Sequence, residues 1–172
     1  MKSCRLLPMT AGAVSIAVLG LAMDHEFTPR FVWNASASAP IGLYAIKVGT
    51  RPRIGDFVLV EPEPGLEGFI TERGYLPPKI PLIKRVAALP GDEVCRQNQA
   101  ILVAKIHVAD ALFMDSVGRK MPVWSGCFTL KSDEMFLLNP HEKSLDGRYF
   151  GATKSNDVVG VAVPIQVWKE NR

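Results

Sequence analysis

The chain has 172 residues, 48% of them hydrophobic, which is enough for one domain with an apolar core plus an N-terminal appendage. Its formal net charge is +3, and Lys2 and Arg5 supply two of the positive charges, so the rest is nearly neutral and a nucleic-acid partner is not expected. The three histidines and three cysteines show no metal-ligand spacing, so neither a metal site nor another cofactor is predicted.

The N-terminal segment, residues 1–23, has the pattern of a signal sequence or membrane anchor. Two basic residues precede an uncharged run at 6–23, and this order predicts a cytoplasmic N-terminus and an exported remainder. The run is at the short end for spanning a bilayer, and Gly20 and Ala22 would suit a cleavage site. We expect a retained anchor rather than a cleaved signal. Residues 24–172 would then form a domain in the periplasm, tethered to the cytoplasmic membrane.

The exported part is predicted to form a mainly β, antiparallel domain. Residues 26–33 have the composition of a connector, one short helix is predicted at 66–73, and the region 108–127 is expected to be irregular. Period-two patterns and turn residues predict strands at 42–48, 57–60, 82–89, 100–108, 134–139 and 157–168.

Export also permits a disulfide, because the periplasm is oxidising. Cys95 and Cys127 form the only even pair on the exported side. The sequence slightly favours a bridge between them over two buried free thiols.

The strand predicted at 82–89 contains a lysine among apolar residues. If Lys84 faces inward, burial disfavours its charged form and lowers its pKa, and a neutral lysine can then take a proton from an attacking serine. Strand alternation would place Arg85 on the opposite face. The turn at 34–44, Asn-Ala-Ser-Ala-Ser-Ala-Pro-Ile-Gly-Leu-Tyr, offers such a serine. Taken alone, however, this lysine fits a solvent-exposed position better.

Four motifs, in order along the chain, resemble the conserved boxes of the bacterial signal peptidase I family. They are Ser-x-Ser-x-Pro at 36–40, Gly-Asp before a strand at 55–60, Lys-Arg with Pro-Gly-Asp at 84–92, and Ser-x-Asp-Gly-Arg-Tyr-Phe-Gly at 144–151. The form of the first motif and the segment at 73–77 resemble in particular the TraF branch, the peptidases of conjugal-transfer systems. The resemblance implies a signal-peptidase-like antiparallel β domain behind an N-terminal apolar helix.

The resemblance also assigns a role to each matching residue. Ser38 corresponds to the nucleophile and Lys84 to the general base. The other matches correspond to a hydroxyl that helps bind the oxyanion (Ser36), a hydroxyl that hydrogen-bonds the lysine (Ser144), and a supporting ion pair (Asp146 and Arg148).

Two positions depart from the family pattern. Pro40 follows Ser38 by two residues, whereas general signal peptidases have three, and this spacing keeps Ser36 as a competing nucleophile. Gly147 stands where the family often has serine, which should slightly weaken the support of the site.

The resemblance implies a membrane-associated serine endopeptidase that processes, and in some cases cyclises, a conjugative pilin precursor. Its partners would be that precursor, the cytoplasmic membrane and the conjugative transfer apparatus. One alternative is a general signal peptidase I that removes signal peptides from exported proteins. The other is a non-catalytic pilus-assembly subunit, although such a subunit would not need both Ser38 and Lys84.

Overall fold

The computed structural model describes residues 29–168, so the predicted signal or anchor at 1–23 lies outside the described part of the chain. Two antiparallel sheets dominate the structure, which confirms the mainly β prediction. Between residues 29 and 168, neither helix has the length and apolar character needed to cross a membrane.

The predicted elements are largely present, with shifts of one or two residues at their ends. In chain order the structure contains β1 (Phe31–Asn34), β2 (Ile41–Lys47), β3 (Phe57–Val60), α1 (Pro64–Glu72), β4 (Leu82–Ala88), β5 (Glu93–Gln97), β6 (Ala100–Val103), β7 (Ile106–Asp110), β8 (Gly126–Thr129), β9 (Glu134–Leu137), α2 (Gly147–Phe150), β10 (Thr153–Lys154) and β11 (Val158–Trp168). The strands β1, β5, β8 and β10 and the short helix α2 were not predicted.

The prediction of a single strand at 100–108 is wrong, because the chain reverses at Ala104 and Lys105 to form the β6–β7 hairpin. Their φ angles are 48° and 66°, values that hairpin turns usually obtain from glycine, asparagine or aspartate. Since neither residue is of that kind, the sequence carried no turn signal there.

The larger sheet has seven strands in the order β1-β2-β11-β3-β4-β9-β10. The short connection between β1 and β2 carries both candidate serines, and β4 carries the lysine. β4 pairs with β3 on one side and with β9 on the other, so the chain that leaves β9 passes close to the lysine.

The smaller sheet has four strands in the order β7-β6-β5-β8. Cys95 in β5 and Cys127 in β8 lie directly opposite each other and are joined by a disulfide. A buried apolar cluster that includes Val94, Ile101 and Phe136 packs the small sheet against the end of the large one. The small sheet therefore braces the large sheet at the side where β9 lies.

Candidate active site

The serine turn, residues 35–40, is held by the side chain of Asn34 at the end of β1. The Asn34 amide donates hydrogen bonds to the carbonyl oxygens of Ser36 (2.9 Å), Ala39 (3.0 Å) and Pro40 (3.1 Å). Its Oδ1 accepts from the Ser36 N–H at 3.1 Å. One buried side chain thus replaces the backbone pairing that this short connection lacks.

The two candidate serines lie against each other on this turn. Ser36 Oγ is 3.0 Å from Ser38 Oγ, and it also accepts a hydrogen bond from the Ser38 backbone N–H at 3.3 Å. Ser36 is exposed and Ser38 is half-buried. The Ser36 hydroxyl and the Ser38 N–H therefore lie within hydrogen-bond distance of each other.

Lys84 faces inward on β4 and is only 6% exposed, whereas its neighbour Arg85 is exposed. Burial lowers the pKa of Lys84 from 10.5 to about 8; the nearby Asp146 carboxylate opposes this shift, and the Arg148 guanidinium adds to it. A substantial fraction of this lysine is therefore neutral at mildly alkaline pH. A neutral amine has the lone pair that a general base needs.

The backbone around Lys84 is fixed by Asn139, which sequence reasoning did not identify as part of the site. Its Nδ2 donates to the Ile83 carbonyl at 3.1 Å, and its Oδ1 accepts from the Arg85 N–H at 2.8 Å. The Asn139 amide thus pairs with the residues on both sides of Lys84, as another strand would. The available signal was that a single polar residue, Asn139, ends the apolar run at 135–138 and lies two residues after β9.

Ser144 and an ion pair complete the buried side of the site. Ser144 is 1% exposed, and its Oγ accepts a hydrogen bond from Lys84 Nζ at 3.4 Å. Asp146 and Arg148 form a fully buried, two-pronged pair, with 2.8 Å between Arg148 Nε and Asp146 Oδ1 and 3.3 Å between Arg148 Nη2 and Asp146 Oδ2. This geometry is the strongest that an arginine and a carboxylate can adopt.

The remaining polar atoms of that ion pair are also satisfied. Arg148 donates to the carbonyl oxygens of Glu142 and Asn139, each at 2.8 Å, and Asp146 Oδ2 accepts from the Asn139 N–H at 3.0 Å. These bonds fold the loop 139–146 around the guanidinium. They therefore set the position of Ser144 beside the lysine.

Gly147 is required by packing, contrary to the expectation that it weakens the site. A Cβ at this position would lie 2.7 Å from Phe136 Cε2 and 2.8 Å from the Leu137 carbonyl oxygen, distances that real Cβ atoms do not adopt. Glycine therefore allows α2 to approach β9 closely, and this approach keeps Asp146 and Arg148 behind the lysine.

A single cleft of ≈ 710 Å³ brings the predicted residues together. Its lining includes Ser36, Ser38, Lys84 and Ser144, whereas Asp146 and Arg148 lie behind it. Within residues 29–168 no hydrogen bond joins Ser38 Oγ to Lys84 Nζ; the Ser38 hydroxyl bonds that of Ser36 instead. Catalytic hydrogen bonds are often loose without substrate and tighten when it binds.

Cys95 and Cys127 are not part of this cleft; their disulfide lies in the four-stranded sheet. Sequence reasoning also missed a group of cleft residues at 75–76 and 112–121. The turn sequence Asp-Ser-Val-Gly-Arg at 115–119 was the available signal for a tight reversal there.

Comparison with known proteins places the chain among peptidases. The family model "Signal peptidase, peptidase S26" matches residues 4–168. The chain is 31% identical to the plasmid transfer protein TraF of Escherichia coli over 146 residues, 78% of this chain and 82% of that protein. It is also 31% identical to the conjugal transfer protein TraF of Agrobacterium tumefaciens (strain 15955) over 169 residues, 93% and 94% of the two chains.

Among solved structures, a signal peptidase I from Enterococcus faecalis V583 superposes with a TM-score of 0.40 and 18% sequence identity. The superposition covers 67% of this chain and 98% of that one.

Proposed function

The chain belongs to the signal peptidase S26 family and is a peptidase, and from this premise we propose that Ser38 and Lys84 form its catalytic dyad. The observation that carries the proposal is the inward-facing, buried Lys84, whose lowered pKa is matched to a general base, in the same cleft as the Ser38 hydroxyl. Buried lysines without a counter-ion are rare in structural roles, because burial destabilises their charged form.

The proposed reaction begins when neutral Lys84 accepts the Ser38 hydroxyl proton as Ser38 Oγ attacks the scissile carbonyl carbon. The Ser38 N–H and the Ser36 hydroxyl donate to the resulting oxyanion. When the tetrahedral intermediate collapses, the C–N bond breaks and the Lys84 ammonium gives its proton to the leaving amine. The acyl–Ser38 ester is then resolved by water, which hydrolyses the substrate, or by an amine, which forms a new peptide bond.

Ser144 has an orienting role in this proposal. Its hydroxyl accepts from Lys84 Nζ, so one N–H of the lysine is directed away from the serine. The lone pair of the neutral amine is then free for Ser38. The Asp146–Arg148 pair holds the loop that carries Ser144 and has no direct contact with the reacting atoms.

For the biological role, we propose processing of a pilin precursor during conjugative transfer. The support is the similarity to relatives that are named for plasmid and conjugal transfer, along most of the chain's length. The conjugative transfer apparatus would be the partner, and no nucleic acid is required.

We further propose that the domain works on the periplasmic surface of the cytoplasmic membrane. An exposed apolar patch near the serine turn supports this placement. Phe31 and Trp33 on β1 are 61% and 56% exposed, and Trp168 at the end of β11 packs edge-on against Trp33 at 5.5 Å. Tryptophan is enriched where proteins meet the membrane–water interface.

The test is mass spectrometry of the pilin made by conjugating cells that carry the wild-type chain, Ser38→Ala or Lys84→Ala. We expect mature pilin with the wild type and uncleaved precursor with either variant. Ser125→Ala and Lys131→Ala, which change exposed residues that do not line the cleft, serve as controls and should process normally.

Two other outcomes would redirect the proposal, and a third would specify how the acyl-enzyme is resolved. Normal processing by Ser38→Ala together with complete loss in Ser36→Ala would mean that Ser36 is the nucleophile. Normal pilin in every variant, with signal peptides retained on exported proteins, would indicate a general signal peptidase. A mature pilin that is lighter by one water than the linear product would show that an amine resolves the acyl-enzyme.

A further inference from the structure

The cleft has a second set of lining residues that take no part in the chemistry proposed above. They come from two segments far apart in sequence, the chain that follows α1 and the connection between β7 and β8, and include Tyr75, Leu76, Leu112, Met114, Asp115 and Met121. The connection forms a tight reversal. Met114 and Lys120 pair in an isolated antiparallel β-bridge, and the Met121 N–H donates a hydrogen bond to the Phe113 carbonyl oxygen at 2.9 Å.

A cluster of three polar side chains, Tyr75, Asp115 and Arg119, joins these two segments; we refer to it as the clasp. The Tyr75 hydroxyl donates to Asp115 Oδ2 at 2.6 Å, and Arg119 Nε donates to the same oxygen at 2.7 Å. Arg119 Nη1 also reaches the Arg73 carbonyl at 3.1 Å, and the guanidinium lies over the Tyr75 ring at 5.2 Å. The clasp therefore fixes the spacing of the two segments.

The clasp carboxylate has no acceptor capacity left for a substrate. Asp115 Oδ1 accepts from the backbone N–H groups of Val117 (3.0 Å) and Arg119 (2.8 Å), so the two carboxylate oxygens together accept four hydrogen bonds. Burial by itself raises the pKa of Asp115, but the hydrogen bonds from Tyr75, Arg119 and Val117 outweigh it and hold that pKa well below its usual range. The carboxylate thus stays ionised and internally paired, and a basic substrate group gains little from it.

Apart from Ser116, the other side chains that these two segments present to a substrate are apolar. They include Leu76, Leu112, Met114 and Met121, which line the cleft beside the clasp. A charged substrate side chain placed against them would lose its hydration without gaining a partner, whereas an apolar one would gain by burial.

We propose that the clasp is a positioning device that holds an apolar subsite, and that this subsite selects substrates by an apolar side chain near the scissile bond. The inference rests on the proposed peptidase function, because it assigns the cleft to the substrate chain. Tyr75, Asp115 and Arg119 act through the segments they hold and do not touch the reacting atoms.

The probe is a set of fluorescent peptides with alanine at the first and third positions before the cut and with leucine or aspartate placed in turn at each other position. Binding is measured by anisotropy on the full-length Ser38→Ala chain in detergent micelles, and turnover on the active chain. We expect leucine to be preferred over aspartate by about tenfold or more at one or more positions, as apolar subsites discriminate. Tyr75→Phe, which keeps the ring and loses the donor, should remove most of that preference.

The effect should lie in KM and in the binding ratio, with kcat and its pH dependence unchanged. Arg119→Lys keeps the positive charge but loses the planar guanidinium with its several N–H donors, and it should also reduce the leucine preference. His107→Ala, which breaks an exposed ion pair outside the cleft, is the matched control and should keep the preference.

The inference is overturned if the Ser38→Ala chain binds leucine and aspartate peptides equally at every position. It is also overturned if folded Tyr75→Phe and Arg119→Lys proteins keep the full preference. A leucine preference that depends on the clasp, in a protein whose active form cleaves no peptide, would support the subsite and contradict the dyad. The two proposals can thus fail separately.

Discussion

The two halves of the site are built in opposite ways. The lysine half is buried, with every side chain no more than 6% exposed, and consists of Lys84, Asn139, Ser144, Asp146 and Arg148. The serine half is a short connection at the edge of the sheet, where Ser36 is exposed and Ser38 is half-buried. The Asn34 amide holds that connection by three hydrogen bonds, and the Tyr44 hydroxyl adds one to the Pro40 carbonyl at 2.7 Å.

The contrast follows from what each half has to do. Burial lets a lysine act as a base near neutral pH, because it lowers the pKa of the ammonium. The polar groups that are buried around the lysine must then all have hydrogen-bond partners. A nucleophile must instead meet the substrate, so it needs access and a fixed turn. We therefore expect substitutions in the lysine half to change stability as well as rate, and substitutions of the two serines to change mainly the rate.

The largest expected effect is that of Lys84→Met, a substitution of similar volume without the amine. Loss of the general base should lower kcat/KM by about 1,000-fold or more. The same variant should be more stable than the wild type near neutral pH by about 3 kcal/mol, because the wild type keeps a charge in a buried site. Steady-state kinetics and urea unfolding on the same preparation measure both effects.

The stability difference should depend on pH in a defined direction. Between the pKa of about 8 in the folded protein and 10.5 in the unfolded chain, the unfolded state binds more protons, so wild-type stability rises with pH. The advantage of Lys84→Met should therefore be full below about pH 8 and shrink through this window. An advantage that stays constant with pH would contradict the buried ammonium.

The next effect concerns the ion pair behind the lysine. Arg148→Met leaves Asp146 buried and without its guanidinium, and removing one partner of such a pair costs about 3–5 kcal/mol of unfolding free energy. Chemical denaturation measures the loss. Arg119→Met, which breaks a partly exposed pair with Asp115, is the matched comparison and should cost clearly less. Equal losses would show that burial does not distinguish the two pairs.

In the serine half, Ser36→Ala removes one proposed oxyanion donor. We expect kcat to fall by about 100- to 1,000-fold while the unfolding free energy stays nearly unchanged. Ser36→Thr keeps the hydroxyl and should retain more activity than the alanine variant. An unchanged kcat in Ser36→Ala would remove this residue from the mechanism.

The smallest effect is expected for Asn34→Ala, which removes the amide donor to three carbonyl oxygens of the serine turn, of which that of Pro40 keeps a second donor, the Tyr44 hydroxyl. We expect a loss of about 1–2 kcal/mol in stability and roughly a tenfold decrease in kcat, because the turn can then sample other geometries. Asn34→Asp keeps the acceptor for the Ser36 N–H but lacks the donor, so it should resemble the alanine variant. Full activity in both variants would show that the turn does not need this anchor.

The sequence was sufficient to predict what depends on local pattern. Strand alternation predicted that Lys84 and Arg85 lie on opposite faces, and the motif resemblance, not the alternation, pointed to Lys84 as the inward-facing one. The turn residues at 49–56 separated β2 from β3. The order of the four motifs pointed to the residues that the structure gathers in and behind one cleft.

The sequence could not reveal contacts between segments far apart in the chain. Asn139 braces Lys84 through Ile83 and Arg85, more than fifty positions away. The clasp joins Tyr75 to Asp115 across forty positions. From the sequence, Gly147 was expected to weaken the support of the site. The short distance to Phe136, which requires a glycine there, is visible only in the folded structure.

The central claim is that Lys84 in its neutral form is the base that activates Ser38, and the pH dependence of kcat/KM tests it most directly. The rate should rise with pH along a single ascending limb whose midpoint is about 8, the lowered pKa of Lys84. A rate that does not change from about pH 6 to pH 10, or a limb centred near the ordinary lysine pKa of about 10.4, would contradict the claim.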